Sequence, residues 1–153
     1  MTTGLLISAI TVLAVVVIIV IMLLVRAMML SFAEKVAGRL GMEHVFLQTT
    51  KAVCAGTVKG RGMISRSQGN CGLALAKSGI VWIPIFGEAV TIEYNRITET
   101  CITKKHGGKA QMSDMLAVAY TSRGEELRTA WVVPDAVEWK TKLEEQWNLA
   151  RKR

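Results

Sequence analysis

No ionisable side chain precedes Arg26, so the formal net charge of +7 belongs wholly to the rest of this 153-residue chain. Acid–base and metal chemistry have little to work with. The aspartates are Asp114 and Asp135, and the 2 histidines are His44 and His106, each far in sequence from any Cys or Asp cluster. An active site needs such groups to converge, and a metal site needs ligand spacing that is missing here. The 3 cysteines, Cys54, Cys71 and Cys101, are dispersed without a CxxC pair, and an odd number argues against a disulfide framework. They are expected to be reduced and partly buried. The glycine pairs form neither GxGxxG nor a P-loop. Aromatics make up 6% of the chain and do not interleave with the basic residues, which speaks against nucleic acid as a partner. No cofactor is expected.

What the chain has instead is an apolar run, Leu5–Val25, without a charge, proline or glycine. As a helix rising 1.5 Å per residue it would cover about 30 Å, the thickness of a bilayer's hydrocarbon core. The run is too long for a signal peptide, its lead-in is uncharged, and Arg26-Ala27-Met28-Met29 is a poor cleavage context. The expected layout is an extracytoplasmic N-terminus (1–4), a transmembrane helix (5–25), a juxtamembrane amphipathic helix and linker (26–42), one domain (43–150) and a basic tail (151–153). Arg26, Lys35 and Arg39 follow the run, so the positive-inside rule places the domain on the cytoplasmic face of the cell membrane. Gly4, Ser8 and Thr11 share a helical face of small residues, an expected contact seam for another helix. Met29, Phe32, Val36 and Leu40 form the apolar face of the next segment, opposite Ser31, Glu34, Lys35 and Arg39. Gly41 is a stop signal.

From about Lys51 the apolar period changes to two. Strands are expected over Val53–Val58, Gly72–Ala76 and Ile80–Phe86, the last interrupted by Pro84. More follow at Val90–Tyr94, Ile97–Lys104, Leu116–Tyr120 and Leu127–Val133, which makes seven in an antiparallel meander. Gly60–Asn70 and the stretch opened by His106-Gly107-Gly108 read as polar loops. Pro134, Asp135 and Glu138 open a final helix in capping-box register. Trp139, Leu143 and Trp147 lie on one face of it, a stripe that must be buried.

The Gly-rich lead-in Gly69-Asn70-Cys71-Gly72-Leu73-Ala74-Leu75, the hairpin through Ser78-Gly79 into Ile80-Val81-Trp82-Ile83-Pro84, and the Trp139/Leu143 spacing resemble the pleckstrin-homology-like (PH-like, GRAM-like) superfold. More narrowly, the chain is similar to the small PH-like domains of bacterial single-pass membrane-anchored proteins. The resemblance spans roughly Glu43–Leu149 and implies a partly open barrel of seven antiparallel strands plugged by the C-terminal helix. It also implies a binding or scaffolding role rather than catalysis. An OB-type barrel is the rival fold, and it has no obligatory terminal helix. In lipid-binding members the basic residues lie between the first two strands. Here that loop holds Lys59, Arg61 and Arg66, while the second strand offers no cation to complete a headgroup pocket. Lys104, Lys105 and Lys109 form a second basic group. The expectation is a membrane-anchored accessory subunit that binds other membrane-protein subunits. The alternative is a sensor of anionic lipid headgroups.

Overall fold

The computed structural model describes residues 12–24, 26–27, 31, 38, 45–60, 62–63, 68–85 and 87–152. The chain divides into two units, Met1–Lys35 and Val36–Arg153.

In the first unit, helix α1 is described over residues 12–24. This corrects the expected transmembrane span of residues 5–25. Thirteen residues of helix reach only about 20 Å, against the roughly 30 Å of a hydrocarbon core. Among the described residues, no helix is long and apolar enough to cross a membrane. Composition reports what surroundings a helix prefers; a span needs length as well, and the described helix supplies 13 residues. Arg26, Ala27 and Ser31 are also helical, as is Gly38 of the second unit. Gly4, Ser8 and Thr11 lie outside the described residues, as does most of the expected juxtamembrane face.

The second unit holds strands β1 (Val45–Lys59), β2 (Gly62–Met63), β3 (Gly69–Ala76), β4 (Gly79–Pro84), β5 (Val90–Glu93), β6 (Ile97–His106), β7 (Lys109–Ser122) and β8 (Glu125–Val132). Helix α2 (Ala136–Arg151) ends it. All strand pairs are antiparallel, in the order β5-β4-β3-β1-β8-β7-β6, with the two-residue β2 paired to β1 beside this path. The sheet's two edges, β5 and β6, are consecutive in sequence and joined by one 3-10 turn, Tyr94–Arg96. A path that short between opposite edges requires the sheet to curl on itself. Strand β1 belongs to both halves: its first part pairs with β3 and its second with β8, and a bulge at Ala55–Gly56 bends it between them. Seven strands and a terminal helix in this order are the PH-like arrangement, and the OB-type alternative is excluded.

Several boundaries moved. β1 begins earlier than its alternation suggests, and Tyr94 leaves β5 for the turn. The stretch after His106 is not a loop. Gly107 and Gly108, at φ 56° and 77°, make a tight two-residue turn, and Lys109 pairs directly with His106. Two adjacent positive φ values are what such a turn needs, and glycine supplies them without strain.

The inner face is filled by Leu73, Leu75, Ile80, Trp82, Ile92, Leu116, Val118 and Trp131. Trp82 and Trp131 meet edge to face with centroids 5.4 Å apart. Val81 and Ile83, on the opposite face of β4, are also buried. This is why the Ile80 run reads as continuous rather than alternating. Trp139 and Leu143 of α2 are buried against this core, and Trp147 packs partly on it. Asp135 caps α2: its Oδ1 accepts from the N–H groups of Val137 (3.1 Å) and Glu138 (2.9 Å). Asp135→Ala should cost about 1 kcal/mol, read as a lower urea midpoint with an unchanged slope.

Candidate functional site

The basic residues are not assembled into one site. Lys59 closes β1, where its ammonium pairs with Glu125 at the start of β8, next to Glu126. Its charge is therefore balanced locally, and acids flank the place where a headgroup pocket would need cations. Arg61 and Arg66 lie outside the described residues. In the second group, Lys104 faces Asp114 at 3.8 Å, Lys105 is exposed, and Lys109 sits on β7. The register sets the two groups apart. Lys59 is level with Leu127, Tyr120 and Ile97, whereas the β6–β7 turn lies past Thr103, Met115 and Val132 at the other end of these strands. A single anion cannot bridge them.

His106, at the head of the stretch read as a polar loop, is instead buried: it is 6% exposed. Between the pairs Thr103↔Met115 and Lys105↔Ala110, β7 runs longer than β6. The extra residues bend the hairpin end toward β1, where His106 Nε2 donates to the carbonyl of Gly56 at 2.8 Å. Met115, Ala117 and Ala130 are buried in a small second cluster on the same side of the sheet. A cleft of about 230 Å³ beside them is lined by His106, Gln68, Gln111 and Val132, among others. Burial pushes the imidazole's pKa below 6.5, the nearby Arg128 charge adds to this, and the bond to Gly56 opposes it. A histidine held neutral in the fold stabilises it fully above pH 6.5 and loses that contribution as pH falls through the lowered value. The urea midpoint should therefore drop between pH 7.5 and pH 5 in the wild type, and His106→Gln should flatten that decline.

Packing also perturbs two thiols and one carboxyl. Burial pushes the Cys71 thiol up to about 12, and Cys54 is raised for the same reason. Thiols held protonated are poor nucleophiles. Cys54, Cys71 and Cys101 are all free. Lys140 first, then Thr100, donates to Glu144 and holds its carboxyl below the usual range, at 2.7 and 2.8 Å. This ties α2 to the edge strand β6. Among the described residues no group of three or more His, Cys, Asp or Glu is placed to hold a metal.

Two apolar surfaces stand out. The large hydrophobic side chains of α1, from Val12 to Leu24, are 47% to 68% exposed all round the helix. In the second unit, a groove of about 420 Å³ lies where the start of β1, the β3–β4 turn and the last turns of α2 meet. Its walls include Phe46, Lys77 and Leu149. Reading the sequence missed this groove, because its residues come from stretches that carry no common motif.

No family model and no curated protein sequence matches the chain. Among solved structures, the chain is similar to the Vps36 N-terminal PH domain at TM-score 0.53 and 14% identity, covering 72% of this chain and 83% of that one. A chain of the 8S snRNP assembly intermediate aligns at TM-score 0.47 and 10% identity, covering 69% and 80%. The fold is thus PH-like by topology and by the first of these likenesses. At such identity the resemblance extends to the backbone arrangement and no further.

Proposed function

We propose that this chain is a non-enzymatic binding protein, an accessory subunit that joins a protein partner through its apolar helix while the PH-like domain offers further contact surface. One observation carries the reading: twelve large hydrophobics of α1, Val12–Leu13 and Val15–Leu24, are exposed. A helix apolar on every side is covered in its working state, and patches of this kind mark association surfaces. The domain adds two sheet edges, β5 and β6, suited to strand addition. Arg26, Lys35 and Arg39 behind the apolar run suit the anionic cytoplasmic face of a membrane as a site of action. Cell fractionation with the tagged chain tests that location.

The direct test is affinity isolation of the tagged full-length chain from its native source, followed by native mass spectrometry. The expected species is a complex of defined stoichiometry that is lost when Val16, Ile19, Val20 and Leu23 are changed together to serine. A lone monomer under all conditions would count against a subunit role.

Anionic lipid sensing is the second reading, favoured by the net charge of +7 and by the exposed Lys77, Lys105 and Lys152. Each well-placed cation contributes about 1 kcal/mol at an anionic surface, and salt weakens it. Full-length protein that ignores phosphatidylserine vesicles at low salt would end this reading.

A further inference from the structure

We propose that the groove beside the end of α2 docks a peptide segment of the partner, one that presents a single large apolar side chain flanked by carboxylates. The inference rests on the reading of the chain as a binding protein and adds the place and the chemistry.

The groove is concave, about 420 Å³, and takes its walls from separate elements: Val45 and Phe46 from β1, Lys77 from the β3–β4 turn, Tyr94 from the 3-10 turn, and Gln146 and Leu149 from α2. That size suits one or two side chains. A concavity also selects an inserted chain over a flat bilayer. Its framework is set before anything binds. Tyr94 is buried, its hydroxyl donates to the Ala76 carbonyl at 2.8 Å, and Val45 pairs with Ala76 across the sheet. Little ordering is therefore left to oppose association.

The apolar part is exposed where it need not be for folding: Phe46 is 45% and Leu149 49% exposed. Among the described residues, the charges next to it that form no ion pair are cations. Lys77 forms no ion pair among the described residues, Arg151 lies 4.2 Å over the Trp147 ring in the last turn of α2, and Lys152 follows. Among the described residues no carboxylate lines the groove. The acids on adjoining elements are already engaged, Glu93 by Arg96 at 3.2 Å and Glu145 by Lys142 at 3.1 Å. Half-buried Gln146 has no partner among the described residues and offers an amide to a peptide backbone. An apolar centre rimmed by unpaired cations is the complement of a Leu or Phe set among Glu or Asp.

The test uses full-length protein and two short fluorescein-labelled peptides, one with a leucine flanked by glutamates and one with the same leucine flanked by lysines, read by fluorescence polarisation. The glutamate peptide should bind saturably and the lysine peptide should not. Lys77→Glu should weaken binding roughly fivefold or more. Phe46→Asp with Leu149→Asp should abolish it, and Lys51→Glu, elsewhere on β1, should leave it unchanged. These positions are exposed, and an unchanged urea midpoint confirms that each variant is folded. No saturable binding of the glutamate peptide, or binding indifferent to Lys77 and Phe46, overturns the proposal. So does Phe46- and Lys77-dependent binding of phosphatidylserine vesicles without peptide binding. A native complex that survives Lys77→Glu but not the α1 serine changes overturns the groove while leaving the subunit reading intact.

Discussion

Trp131→Ala is expected to destabilise the domain by about 3–5 kcal/mol, the range for removing a large aromatic from a core. The side chain is 0% exposed and forms the edge-to-face pair with Trp82. It also sits on β8, level with Cys54 of β1 and Leu116 of β7, so the cavity opens between the two halves of the barrel. Among the described residues the indole N–H finds no hydrogen-bond partner. Trp131→Phe therefore gives up volume and not a polar contact, and it should cost well under half as much. Urea unfolding followed by Trp fluorescence or circular dichroism measures both. Equal losses for the two variants would mean that the N–H matters after all.

Gly79→Ala is expected to be nearly as damaging, about 3 kcal/mol, although it adds only one methyl group. Gly79 has φ 150°, and a Cβ there would stand 2.2 Å from the carbonyl oxygen of Ile92. Both obstacles are backbone and cannot be relieved by a rotamer change. Gly79 and Ile92 lie where β4 meets the edge strand β5, with Gly79 level with Glu93 and Ile80 with Ile92. The variant should therefore lose protection from hydrogen exchange first along β5. Exchange rates there equal to the wild type would contradict the steric account.

How much of this could be read from residues alone depends on whether the signal was local. Helix α2 was legible because Pro134, Asp135 and Glu138 are a start signal, and the Trp139 and Leu143 stripe says which face must be hidden. Most of the strands from Gly72 to Val132 were legible by alternation and by their turn residues, but the first half of β7, residues 109–115, read as loop. β1 was legible only in part. Its opening, Val45–Thr50, places Phe46 outside and Leu47 inside without a clear polar partner set. The apolar run at the N-terminus misled about extent, since hydropathy reports preference and the described helix is shorter than a span. His106 was missed because a glycine pair looks like a loop when it is a tight turn, and because its partner, Gly56, is 50 residues away. The groove at Phe46, Lys77 and Leu149 had no local trace at all. It exists only once β1, the β3–β4 turn and α2 are brought together.

The central claim is that a protein covers the exposed apolar helix. The measurement that meets it most directly is light-induced crosslinking in intact native cells, with a photoreactive amino acid in place of Ile19, which is 49% exposed on α1. The account predicts one discrete, reproducible protein adduct, absent when the same residue is placed at exposed Lys51 of β1. Illumination that yields no protein adduct at Ile19, or only a diffuse smear equal to that at Lys51, would contradict it.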